Sequence, residues 1–259
     1  MDIAEEALKK HYEWRGKIEV AARTHVSSRE ALALAYTPGV AAPCLAIQKE
    51  PAESFALTRR WNTVAVVTDG SAVLGLGDIG PEAGMPVMEG KALLFKEFGG
   101  IDAIPLCLRT KDPDEIVRTV KLLCGSFGGI NLEDISAPRC FEIERRLVEE
   151  CDIPIFHDDQ HGTAIVVAAA LLNACRVVGK RVCDLRIALA GAGAAGCAIG
   201  RMLLELGVSD LIFVDRAGII DEHTAGLDEA RRRMLHGSNR SRRSGGLAEA
   251  VRGADVFIG

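Results

Sequence analysis

The sequence predicts an α/β protein built from two parallel-sheet units, on three observations. From Asn62 onward, short apolar strand-like runs alternate with amphipathic helical segments, the pattern of β-α-β units. Two acidic pairs, Glu133-Asp134 and Asp158-Asp159, each follow a strand and precede a helix. A glycine-rich run, Gly191-Ala192-Gly193-Ala194-Ala195-Gly196, leaves a third strand and opens another helix.

In chain order, residues 2 to about 20 predict a charged helix carrying Ile3, Leu8, Tyr12 and Ile18. Continuous apolar runs predict strands at 63–68, 101–108, 129–132, 153–156, 185–190, 210–214 and 254–258. Apolar residues at helical spacing predict helices at 87–98, 112–124, 139–150, 162–178, 195–206 and 227–235. The segment 237–246, rich in Gly, Ser and Arg, reads as a solvated loop or as a phosphate-binding patch; its lack of apolar periodicity favours the loop. The long helix from residue 162 connects two domains, 1–160 and 161–259.

Composition bounds the function. With 48% apolar and 26% charged residues over 259 positions, the chain has the profile of a soluble two-domain protein with substantial cores. A net charge of −5 offers no electrostatic reason to bind nucleic acid. The eight cysteines are scattered without a Cys-x-x-Cys pair, so buried free thiols and a reducing, cytoplasmic compartment are expected. The acidic start lacks the order of a signal peptide, and the longest apolar stretch, 164–174, is too short to span a bilayer.

The acidic pairs are the first candidate site. Buried carboxylates without a partner are costly, and a divalent cation is the simplest compensation. Both pairs lie at the carboxyl ends of strands, where open α/β sheets bind ligands. Neighbouring strand residues point to opposite faces, so Glu133 and Asp134 reach one ion only if the chain bends; 135–138, ending in Pro138, is the expected bend. An acidic pair before a helix is also the ordinary pattern of an N-cap. Oxygen donors without thiolates suit Mg²⁺ or Mn²⁺ rather than zinc. His157 and His161 read as ligands or as groups that orient the acids; a His beside an acid more often orients it, which favours the second role.

The glycine run is the second. Gly191, Gly193, Ala194, Ala195 and Gly196 form a Gly-x-Gly-x-x-Gly turn between strand and helix, and the next strand ends at Asp215, nineteen residues after Gly196. That is the context of a Rossmann-type dinucleotide site, with the helix N-terminus facing a pyrophosphate. Asp215 would accept hydrogen bonds from the adenosine ribose, which favours NAD; Arg216 beside it leaves NADP open. Two further groups stand out. Lys91 lies on an otherwise apolar helical stretch, where it either snorkels to water or, held near a metal and substrate, has a lowered pKa and acts as a base. Tyr36, one of two tyrosines, sits in the turn Tyr36-Thr37-Pro38-Gly39-Val40, as a packed aromatic or a functional one.

Tyr36 to Val40, Asp69 to Gly80, Gly90-Lys91, Glu133-Asp134, Phe156 to Thr163 and Gly191 to Gly196 occur in the order found in malic enzymes. Over roughly residues 25–259 the chain resembles the compact bacterial members. The resemblance implies an amino-terminal metal and substrate domain (1–160), a Rossmann domain (161–259), and oxidative decarboxylation of L-malate to pyruvate and CO₂ with reduction of NAD(P)⁺. It implies Glu133, Asp134 and Asp159 as metal ligands with Asp158 behind them, Lys91 as general base at the malate hydroxyl, and Tyr36 as the acid that protonates the enol carbon. It also implies a homodimer, for which the amino-terminal helix is available.

Two departures stand beside it. Ala72 occupies a segment where eukaryotic members carry a basic residue for the substrate carboxylate, so another group must hold malate. The chain ends at Gly259, directly after the third strand of the nucleotide unit, so that unit is expected to be incomplete and truncated. Three readings follow: a metal-dependent malic enzyme, a non-catalytic fragment serving as a binding or subunit-contact module, and a related malolactic or oxaloacetate-decarboxylating enzyme.

Overall fold

The computed structural model describes residues 2–227 and 229–259, arranged around two four-stranded sheets. Ahead of them runs an arm of four short helices, α1 (Ile3–Trp14), α2 (Arg29–Ala35), α3 (Ala41–Lys49) and α4 (Glu53–Leu57), none of which buries a residue. The expected first helix ends early because Arg15 turns left-handed at φ 55° and Gly16 follows at 123°. The three helices after it, five to nine residues each, are too short for periodicity to reveal.

The first sheet contains β1 (Thr63–Thr68), β2 (Asp102–Cys107), β3 (Gly129–Leu132) and β4 (Ile155–His157), all parallel, in the order β2-β1-β3-β4. The crossovers are α5 (Pro81–Gly99), α6 (Pro113–Leu123) and α7 (Arg139–Glu150). Side chains alternate across β1: Ala65 and Val67 join Ile116, Val120, Ile143 and Leu147 of α6 and α7, while Val66 meets Met88 and Ala92 of α5. Each large aliphatic in these layers contributes about 1.5–3 kcal/mol by leaving water. The strand order reverses between β1 and β3, which opens a crevice at their carboxyl ends.

The second sheet contains β5 (Arg186–Ala190), β6 (Asp210–Asp215), β7 (Gly218–Ile220) and β8 (Val256–Ile258), in the order β7-β6-β5-β8, with β7 antiparallel. Its helices are α8 (Thr163–Val178), α9 (Ala194–Glu205), α10 (Glu229–Leu235) and α11 (Leu247–Val251). Strand β7 and helix α11 were not expected. β7 returns from β6 across a tight turn in which Asp215 Oδ1 accepts the Ala217 N–H at 2.7 Å. The basic segment is no free loop: Ser238 and Asn239 are buried, and the Asn239 amide donates to Asp221 and to the Arg243 carbonyl.

Helix α8 continues a π-helical turn (Asp158–Gly162), so the helical segment is longer than the apolar run 164–174. By length and mean hydropathy (1.6), 158–178 could cross a membrane. Ala164, Leu171 and Cys175 on one face are instead buried against the second sheet's core.

Candidate active site

Register brings the two acidic pairs together. Leu132 of β3 lies opposite His157 of β4, so the residues that follow each strand emerge side by side. The Glu133 N–H still donates to the Val67 carbonyl at 2.9 Å. The bend comes at Asp134 itself, which takes φ 53°, a left-handed conformation that Asp tolerates better than most residues. It lies earlier than the expected break at 135–138. Asp159 Oδ2 accepts the Asp134 N–H at 3.0 Å. One carboxylate oxygen each from Glu133, Asp134 and Asp159 then lies within 4.8 Å of the others. The N-cap alternative fails, because α7 begins after Pro138 with no side-chain cap.

Glu133 and Asp134 resist ionisation. Burial pushes Glu133 up to about 7, against the opposing pull of Lys91 and of Asn131, whose amide donates at 2.8 Å. Burial and then the neighbouring Asp159 push Asp134 up to about 6. Asp134 Oδ2 is buried with no hydrogen-bond partner among the described residues. Three converging carboxylates, one of them with an orphaned oxygen, fit a hard divalent cation. His157 is fully buried behind them, its Nδ1 4.0 Å from Asp159, and burial holds its pKa below the usual histidine value.

Lys91 of α5 faces this group. Its Nζ forms an ion pair with Asp158 and lies 3.2 Å from Glu133 Oε2. Burial lowers its pKa, yet Asp158 and Glu133 together outweigh burial and the net direction is upward. In the metal-free protein two carboxylates stabilise the ammonium more than desolvation disfavours it. Asp158 thus contacts the lysine directly. Tyr36 is not brought here. It closes α2 in the arm at 67% exposure, and its hydroxyl makes no hydrogen bond among the described residues. An arm without buried residues has nothing to pull Tyr36 onto the sheet.

Two buried acids of the first sheet's unit, Asp69 and Glu144, were not singled out as site residues from sequence. Asp69, 1% exposed, accepts from Arg139 Nη1 at 2.9 Å and from the Ser71 hydroxyl at 2.5 Å, tying the glycine-rich loop after β1 to α7. Glu144, 7% exposed, stands on the α7 stripe beside Ile143 and Leu147 and reaches the turn after β4. A Glu on an apolar helical stripe was the available signal.

At the second sheet, Gly191 (φ 110°) turns the chain out of β5, and a Cβ on Gly196 would run into the Gly191 carbonyl. α9 starts at Ala194 with no side-chain cap, so its first N–H groups are left for a ligand. A cleft of about 590 Å³ is lined by Gly191, Ala192, Gly193, Asp215, Arg216 and Arg231. Carboxylate and guanidinium thus share one rim. α9 packs on the Asp158–Gly162 turn, and Ala194 touches the core of the first sheet, so the glycine loop and the carboxylate cluster are neighbours.

Residues 15–148 match the family model "Malic enzyme, N-terminal domain", and residues 160–259 match "Malic enzyme, NAD binding domain". The chain is 55% identical over 244 residues to an NAD-dependent malic enzyme of Geobacillus stearothermophilus, covering 94% of the chain and 51% of that protein. It is 50% identical to a bifunctional malic/malolactic enzyme of Bacillus subtilis, covering 100% of the chain and 63% of the relative. The crystal structure of an NAD-dependent malic enzyme from Thermotoga maritima superposes with a TM-score of 0.93 at 50% identity, covering 98% of this chain and 68% of that one. The chain thus spans about half to two thirds of the length of these curated relatives.

Proposed function

The chain belongs to the malic enzyme family, and from that premise we propose that it oxidatively decarboxylates L-malate to pyruvate and CO₂ with NAD(P)⁺ and Mg²⁺ or Mn²⁺. The observation that carries this reading is the trio Glu133, Asp134 and Asp159 faced by Lys91, beside a glycine-loop cleft. Glu133, Asp134 and Asp159 hold the ion, with Asp158 outside that set and paired to Lys91. Gly191, Gly193, Ala194, Ala195, Gly196 and Asp215 hold the dinucleotide, and Asp215 at the rim favours NAD, with NADP open through Arg216.

When bound, the ion supplies positive charge against which an oxyanion develops, and the dinucleotide supplies the hydride acceptor. Lys91 holds a proton at Nζ between two carboxylates. Its role as base requires that proton to leave first. Neutral Nζ then takes the malate hydroxyl proton as C2 is oxidised. Glu133, held by Asn131, keeps Nζ aimed at the trio. Tyr36 is the proposed acid at C3. Its exposed arm, with Ile3, Leu34 and Tyr12 in water, suits a homodimer in which such arms are covered. We further propose a cytoplasmic location and a domain boundary near residue 160.

The test follows the nicotinamide absorbance band with malate, Mn²⁺ and NAD⁺ or NADP⁺. Growth of the reduced band supports the reading. Malate consumed without reduced cofactor would favour the malolactic alternative named in the Bacillus relative. No turnover would leave a binding module.

A further inference from the structure

From α7, the turn bearing Asp158 and Asp159 is hydrogen-bonded by one side chain among the described residues, Glu144. The turn is a single π-helical one (Asp158–Gly162) whose N-cap, His157, offers no side-chain cap. Sheet pairing fixes the strand only as far as His157. Beyond that point the two carboxylates diverge, Asp158 to Lys91 and Asp159 to the Asp134 N–H. Glu144 reaches across from α7. Its Oε1 accepts the His157 N–H at 2.9 Å, and its Oε2 accepts from Gln160 Nε2 at 3.0 Å and meets His161 Nε2 at 3.0 Å. These three anchors bracket Asp158-Asp159 on both sides.

Packing alone gives no reason for a carboxylate here. Cys140, Ile143 and Leu147 make the same face of α7 apolar, and a buried acid is costly unless hydrogen-bonded. Glu144 and Gln160 are 7% and 2% exposed, so their contact lies inside the protein, while His161 reaches the surface. We propose that Glu144 is a positioning residue that sets the register of the Asp158-Asp159 turn, and with it the affinity of the carboxylate trio for a divalent ion and the seating of Asp158 on Lys91. The inference rests on the metal reading above and adds to it a residue that touches neither ion nor substrate.

The test titrates Mn²⁺ by the loss of its free electron paramagnetic resonance signal and reads amide hydrogen exchange in the absence of metal. Glu144→Ala should weaken Mn²⁺ binding by at least about tenfold, the range for partners that orient metal ligands. It should also speed exchange at 158–163 while 129–132 stay protected. Glu144→Gln should stay within about threefold of the parent, because its amide oxygen still accepts the His157 N–H and the Gln160 amide can turn to meet it. If the Ala variant does not fold, Glu144→Asp serves: it keeps the charge but withdraws it by one methylene, and should weaken binding at least about fivefold. Parental Mn²⁺ affinity in the Ala or Asp variant overturns the proposal, as does a Gln variant as weak as Ala. A parent chain that binds no Mn²⁺ refutes the metal reading instead. Exchange then decides the positioning role: faster exchange confined to 158–163 sustains it, and unchanged exchange overturns it.

Discussion

Lowering the pH should remove the divalent ion from this site in a calculable way. Glu133 is raised to about 7 and Asp134 to about 6, both from burial first, and only their ionised forms bind a cation. Near pH 8 both are largely ionised. Near pH 5, about one Glu133 in a hundred and one Asp134 in ten remain so, a combined fall of about a thousandfold, or roughly 4 kcal/mol. Near pH 6.5 the same values imply release of about one proton per ion bound. The sign for stability is opposite. Both pKa values are raised from model values of 4.5 and 3.8, so the metal-free fold is favoured at low pH. That contribution is lost as pH rises through about 6 and 7. Mn²⁺ should therefore raise the melting temperature strongly at pH 8 and barely at pH 5. Isothermal titration in buffers of different ionisation enthalpy measures affinity and proton release together. An affinity that falls less than about tenfold between pH 8 and 5, or a binding heat independent of buffer, would refute the reasoning.

Three other outcomes are expected. Lys91→Ala should abolish malate oxidation, with dinucleotide affinity by fluorescence titration unchanged; parental turnover would remove Lys91 from the role of base. Asp134→Asn should lose Mn²⁺ affinity but, by deleting a costly buried charge, melt above the metal-free parent at pH 8. Asp134→Ala should be about 1 kcal/mol less stable than the Asn variant, because Ala fits φ 53° poorly; equal melting of the two variants by calorimetry counts against that account. Gly196→Ala should weaken dinucleotide binding by at least about tenfold and cost about 1–3 kcal/mol, since the new methyl meets the Gly191 carbonyl; parental affinity in the same titration would disprove the close approach.

What the sequence disclosed was whatever depends on short-range pattern. The acidic pairs were visible as residues after strands because a four-residue apolar run such as Gly129–Leu132 and the helix after it are local features. That they meet depends on the register Leu132 opposite His157, which no local pattern carries. The bend at Asp134 was placed a residue late because Pro138 is the louder signal, whereas a left-handed Asp leaves no mark in composition. An apolar helical stretch leaves open whether Lys91 snorkels to water or sits beside a metal and substrate with a lowered pKa. The lysine's pKa depends as much on Asp158, 67 positions away, and on Glu133 from another strand end.

Glu144 and Tyr36 show the two directions in which such reading fails. Glu144 shows in sequence only as a Glu on an apolar helical stripe, because its partners, His157, Gln160 and His161, lie 13 to 17 positions on and meet it only when α7 packs beside β4. Tyr36 is conspicuous in sequence, yet the folded chain leaves it in an arm whose helices bury nothing. A side chain acquires a role here when an element with a buried stripe carries it to the crevice, as α7 does for Glu144 and α5 for Lys91. The arm has no such stripe, so any approach of Tyr36 to Lys91 must be driven by surface other than that of the described residues. The proposed homodimer would supply such a surface. A chain that sediments as a monomer at assay concentration while oxidising malate at full rate would rule that surface out.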